Sequence, residues 1–67
     1  MLLSVIVPCY NEEAVLRATH ERLVSVLGAI SDLEFEIIYV DDGSRDQTHQ
    51  ILRELHSVDQ NVRVLRL

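Results

Sequence analysis

Val5-Ile6-Val7-Pro8-Cys9-Tyr10-Asn11-Glu12-Glu13 and, about thirty residues later, Ile37-Ile38-Tyr39-Val40-Asp41-Asp42-Gly43-Ser44 set the architecture of this chain. In each, a short apolar run rich in β-branched residues stops at an acid-bearing corner, and a helical pattern follows. That form suits a strand of a parallel sheet feeding a helix. Two such strands joined by a helix bring both corners to one edge of the sheet, where open α/β folds bind ligands. Tyr10, Glu12, Asp41 and Asp42 then share one crevice.

The flanking residues complete the pattern. Leu2 to Val7 reads as a central strand covered on both faces, ended by Pro8, which cannot donate to a sheet ladder. Asn11 reads as an N-cap, and Glu12 and Glu13 suit the positive first turn of a helix over roughly 12–29. The apolar stripe of that helix is Val15, Leu16, Leu23, Val26, Leu27 and Ile30. Phe35 to Val40 is the second strand, and Asp41-Asp42-Gly43-Ser44 is a turn by composition. Ser44 with Gln47 has capping-box form and Asp46 is a rival N-cap, for a second helix over roughly 46–57 striped by Ile51, Leu52, Leu55 and Val58. Val62, Val64 and Leu65 carry a third strand. His20, His49 and His56 read as solvated helix residues, and Arg63 and Arg66 as charges on an edge strand.

The predicted fold is α/β: a single β-α-β-α-β unit over 1–67, half of a Rossmann-like parallel sheet with strand order 3-2-1. Such a half leaves the first strand with one neighbour and an open edge. The expectation is that the chain is an incomplete domain of a longer protein, or that it pairs with another chain.

Composition excludes several classes. The 67 residues carry 6 basic and 11 acidic side chains, net −5, which argues against nucleic-acid binding. The single cysteine, Cys9, allows no internal disulfide and no cysteine metal cluster. No apolar run approaches the ~20 residues of a membrane span. Met1-Leu2-Leu3 has neither basic leader nor cleavage site, which predicts no signal peptide. Its two glycines, Gly28 and Gly43, lie outside the first strand-to-helix turn, so G-x-G-x-x-G and the phosphate-loop motif are both absent. That turn offers an aromatic ring and carboxylates instead, which suit a base and a ribose.

Val5-Ile6-Val7-Pro8-x-Tyr10-Asn11-Glu12-Glu13, with Val40-Asp41-Asp42-Gly43-Ser44-x-Asp46-x-Thr48 downstream, resembles the N-terminus of family 2 glycosyltransferases, which have the GT-A type of sheet. The likeness covers the whole chain. It is closest to enzymes that load sugars onto polyprenyl phosphates, such as dolichyl-phosphate mannose synthase and undecaprenyl-phosphate glycosyltransferases. The resemblance implies that Pro8 and Tyr10 border a nucleobase and that Glu12 reaches the ribose or base side. It implies that Val40 gives backbone contacts at the base and that Asp42 accepts from a base N–H. It also implies that Asp41 helps shape the turn or reaches the ribose. The implied reaction moves a sugar from a UDP- or GDP-sugar to an acceptor, a polyprenyl phosphate in the nearest relatives. The family's Asp-x-Asp motif, which holds Mg or Mn against the diphosphate, has no counterpart here, so no catalytic or metal-binding residue is assigned to these 67 residues. The same resemblance implies a cytoplasmic site, or the cytoplasmic face of a membrane reached through segments beyond this chain.

Two other classes compete. A phosphoacceptor receiver domain needs an aspartate ending the third strand and a lysine further on, and this chain has no lysine. A non-catalytic module that self-associates through exposed strand edges fits the open sheet. Each corner also has a plain reading, a capped helix start or an ordinary turn; two acids together are less easily explained that way, because they repel.

Overall fold

The computed structural model describes residues 2–67. Five elements follow one another: β1 (Leu2–Cys9), α1 (Leu16–Gly28), β2 (Glu34–Asp41), α2 (Thr48–Val58) and β3 (Val62–Arg66). The strands form one parallel sheet in the order β1-β2-β3, the predicted 3-2-1 read from the opposite edge. Register pairs Val7 with Tyr39 and Cys9 with Asp41, and Tyr39 with Val64. β1 and β2 thus end level, which places the two acid-bearing corners side by side.

Both helices lie on one face of the sheet. Strand side chains alternate faces, so Phe35, Ile37, Tyr39 and Asp41 of β2 share a side; Ile37, Tyr39 and Asp41 are fully buried. His20 of α1 reaches Tyr39 and His49 of α2 reaches Asp41, so the two helices cover that side together. The core between sheet and helices is Cys9, Leu16, Leu27, Ile37, Tyr39, Ile51, Leu52, Leu55 and Val62. On the other face, Leu2, Ile6 and Leu65 stay 62%, 66% and 57% exposed. β1 is therefore an edge strand covered on one side, not a central strand covered on both. The uncovered face has its own polar rung, where Glu36 accepts from Ser4 at 2.8 Å and pairs with Arg63 at 3.3 Å. Those donors hold the Glu36 carboxyl below its usual range, the Ser4 hydrogen bond most of all.

Three local expectations change. Pro8 does not end β1, which runs on to Cys9. The Cys9 carbonyl accepts from Asp42 N at 2.9 Å, so by alternation the Pro8 nitrogen points to the open edge, where no donor is missed. α1 starts at Leu16 rather than near 12, because Glu12 to Val15 form a turn in which the Glu12 carbonyl accepts from both Val15 and Leu16. α2 starts at Thr48, and Val58 at its end is 82% exposed rather than part of the apolar stripe.

The buried face of α1 contains a polar residue. Leu16, His20, Leu23 and Leu27 recur at helical spacing, and His20 is buried while Val15, Val26 and Ile30 are half or more exposed. His20 is thus a core residue, not a solvated one. Its Nδ1 lies 2.7 Å from the Tyr39 hydroxyl, and its Nε2 lies 3.4 Å from the Asp59 carboxylate. A carboxylate only accepts, so Nε2 carries a proton and Nδ1 can accept from Tyr39. Burial pushes the Tyr39 phenol up to about 12, with Cys9 and Asp59 adding to the effect, so the hydroxyl remains a donor. α1, β2 and the loop before β3 meet in this chain of three side chains.

Tyr39→Phe leaves a buried imidazole nitrogen unpaired and is expected to lower stability by about 1–3 kcal/mol. Adding His20→Leu removes the orphan and recovers part of that loss. Urea unfolding of the two variants checks both; equal stability of Tyr39→Phe and the parent chain refutes the linkage.

Candidate functional site

The two corners are bound to each other by hydrogen bonds that cross between them. Three consecutive backbone N–H groups of the first corner donate to three side chains of the second. Asn11 N donates to Ser44 Oγ at 3.0 Å, Glu12 N to Thr48 Oγ1 at 2.7 Å and Glu13 N to Asp46 Oδ2 at 3.3 Å. In return Arg45 N donates to Asn11 Oδ1 at 2.8 Å. Ser44, Asp46 and Thr48 alternate along the chain, which aims their side chains at one strip of neighbouring backbone. Asn11 is not the N-cap of α1. It sits at φ 51°, in the left-handed region that Asn tolerates better than most residues, and caps the opposite corner instead.

Within the second corner, Asp41 is fully buried and points to the helix side. Its Oδ1 accepts from Ser44 N at 3.0 Å and its Oδ2 lies 3.4 Å from His49 Nδ1. Burial alone pushes the Asp41 carboxyl up, but Ser44 hydrogen bonds with the nearby His49 and Arg66 charges outweigh it and hold the group below its usual range. The Ser44-Gln47 capping box does not form, since Ser44 serves Asp41 and Asn11. Gln47 is the N-cap position of α2, and Asp46 just before it accepts from Thr48 N at 2.9 Å. Gly43 occupies φ 73°, which lets the chain turn between Asp42 and Ser44 without Cβ strain.

Of the six residues expected at the site, five reach solvent around the join. Pro8 and Tyr10 are exposed, Tyr10 by 52%, and Asp42 is exposed; Glu12 and Val40 are half-buried. Pro8 and Val40 are register partners on the uncovered face of the sheet. Asp41 is the exception, buried beneath the turn it shapes. Beside the first corner, Pro8, Cys9, Glu12 and Val15 help line a cavity of about 190 Å³. Burial raises the Cys9 thiol, and the Glu12 and Asp41 charges add to this, so Cys9 is a protonated packing residue there.

Comparison with known proteins gives the family of the chain. Residues 4–67 fit the model of the family described as Glycosyl transferase family 2. The chain belongs to that family. It is 39% identical over 62 residues to the Bacillus subtilis protein named uncharacterized glycosyltransferase YkcC, covering 92% of this chain and 19% of that one. It is 38% identical over 58 residues to the undecaprenyl-phosphate 4-deoxy-4-formamido-L-arabinose transferase of Aeromonas hydrophila, covering 87% and 18%. The Pseudomonas paraeruginosa enzyme of the same name is 42% identical over 52 residues, covering 78% and 15%. The chain thus spans less than a fifth of the length of these relatives.

The divalent metal used by relatives in the family finds no fitting donor set in this stretch. Among the described residues no three His, Cys, Asp or Glu side chains converge. The one buried acid at the corner is occupied by Ser44 and faces His49. Also among the described residues, no helix is long and apolar enough to cross a membrane.

Two outcomes test the join. Thr48→Val orphans Glu12 N–H and is expected to cost about 1–3 kcal/mol, with faster hydrogen exchange at Asn11, Glu12 and Glu13; unchanged exchange refutes the crossing bonds. Asp41 and Asp46 both have carboxyls held below the ordinary value of 3.8. Such groups contribute stability that is fully present above the unfolded value and is lost as pH falls through the folded one. Stability measured from neutral pH downward is expected to fall through that window, with a shallower fall in Asp41→Asn.

Proposed function

We propose that this chain is the nucleotide-binding half of a glycosyltransferase donor site. The parent enzyme transfers a sugar from a UDP- or GDP-sugar to a polyprenyl phosphate. The observation that carries the reading is the pair of joined corners at the carboxyl end of parallel β1 and β2, with Tyr10 and Asp42 exposed and Glu12 half-buried around them. Tyr10 supplies a ring for the base face. Asp42 accepts from a ring N–H, which uracil and guanine both offer. Pro8 and Val40 border the base, Glu12 reaches the ribose, and Asp41 holds the turn from below. The family match and the printed names of the Aeromonas and Pseudomonas relatives support the sugar transfer and the lipid-phosphate acceptor.

In this reading the chain contributes recognition and leaves the chemistry to the remainder of the enzyme. The lipid phosphate oxygen is already anionic when it attacks the sugar carbon, so it needs little help from a base. A divalent metal, where bound, would offset charge on the departing diphosphate; its ligands would come from outside these residues.

A second reading rests on a separate observation. β1 is apolar and among the described residues has a neighbour on one side only, so a second copy could add there. Light scattering over a range of concentrations separates the two, because edge pairing requires a mass that rises with concentration.

Titration with UDP and with GDP, followed by NMR, is expected to shift Tyr10, Glu12 and Asp42 signals for one nucleotide more than the other. In Tyr10→Ala/Asp42→Ala the response is expected to weaken by tenfold or more, about 1.4 kcal/mol. An undiminished response in that variant removes these residues from the site.

A further inference from the structure

A second polar concavity lies between α2 and β3, a groove of about 430 Å³ lined by His49, Arg53, His56, Ser57, Val64 and Arg66. Two guanidiniums and two imidazoles line it and no carboxylate does, in a chain whose net charge is −5. The fold explains the gathering. His49, Arg53, His56 and Ser57 follow one another along successive turns of α2. Val62 is buried and Val64 half-buried on the helix-bearing side of β3, so alternation places Arg66 on that same side.

The two guanidiniums make no close ion pair among the described residues, although His49 faces Asp41 at 3.4 Å and the Arg66 charge is felt there too. Arg17 pairs with Glu54 and Arg63 with Glu36, whereas Arg53 and Arg66 have no acidic partner within 4.0 Å among the described residues. His56 Nδ1 lies 2.7 Å from the Val62 carbonyl, which can only accept, so that nitrogen donates and Nε2 remains free. The Ser57 hydroxyl already donates to the Glu54 carbonyl at 2.7 Å and contributes shape rather than a donor. Beneath His49 lies Asp41, whose Oδ2 and the facing His49 Nδ1 are both buried and make no hydrogen bond. None of the corner residues Tyr10, Glu12 and Asp42 lines the groove.

We infer that this groove binds a phosphate group, held between the Arg53 and Arg66 guanidiniums and walled by the His49 and His56 rings. A guanidinium fork matches two phosphate oxygens at once. The phosphate is either free in solution or the monoester headgroup of a lipid; the chemistry of recognition is the same. The site does not depend on the nucleotide reading of the corners.

The test uses the whole chain and two phosphate sources. Inorganic phosphate, added at constant ionic strength against a chloride control, is expected to shift the NMR signals of His49, Arg53, His56 and Arg66. Arg53→Gln/Arg66→Gln, its fold checked by its own spectrum, is expected to bind about tenfold more weakly or worse. Sedimentation with phosphatidylcholine vesicles, with and without phosphatidic acid, reads the second source. Co-sedimentation that needs phosphatidic acid and both arginines assigns a lipid headgroup. Binding of inorganic phosphate alone assigns a soluble ligand. No response to either source, or a response the double variant retains in full, overturns the inference.

Discussion

Three consecutive amides, at Asn11, Glu12 and Glu13, donate to side chains thirty-odd residues further on, and the geometry of the corners rests on them. A chain leaving a strand edge has backbone donors that no ladder satisfies, and in a partly buried place each must find an acceptor. Here Ser44, Thr48 and Asp46 supply them. The acceptors are themselves placed by the turn after β2, which Asp41 closes from below through Ser44. The order of dependence runs from a buried carboxylate to a turn, from the turn to three acceptors, and from those to the position of Tyr10 and Glu12.

The rest of the molecule serves to keep β1 and β2 level. Parallel pairing from Leu2 with Glu34 to Cys9 with Asp41 leaves no slack in register. A shift by one residue would turn Ile37 and Tyr39 out of the core and bring Glu36 and Ile38 in. The Tyr39 hydroxyl, meeting His20 below the sheet, adds a polar condition that only one register satisfies.

Most of this frame could be read from residues alone. The apolar runs ending at Pro8-Cys9-Tyr10 and Val40-Asp41-Asp42, with helical stripes between, dictate a parallel β-α-β-α-β order, and the paired corners mark the candidate site. What escaped was every feature with its partner far along the chain. Asn11 and Ser44 have the local chemistry of helix caps, and nothing nearby in sequence reveals that they serve each other's corner. His20 is polar, so a search for apolar periodicity passes over it, although 16, 20, 23 and 27 is a sound helical stripe once Tyr39 is known to lie opposite. Pro8 looks like a strand end until the strand proves to be an edge. The groove lined by Arg53 and Arg66 needs the packing of α2 on β3, which spacing does not supply.

β2 is hydrogen-bonded along both of its sides, while β1 is bonded along one. The twin-aspartate turn therefore hangs from the stiffest part of the sheet, and the Tyr10 corner from the part that can fray. One wall of the crevice is a fixed reference and the other is tied to it by hydrogen bonds from three backbone amides. In the proposed donor site the aspartate side would thus be ordered in advance, while the aromatic side would keep the freedom to admit and release a ligand.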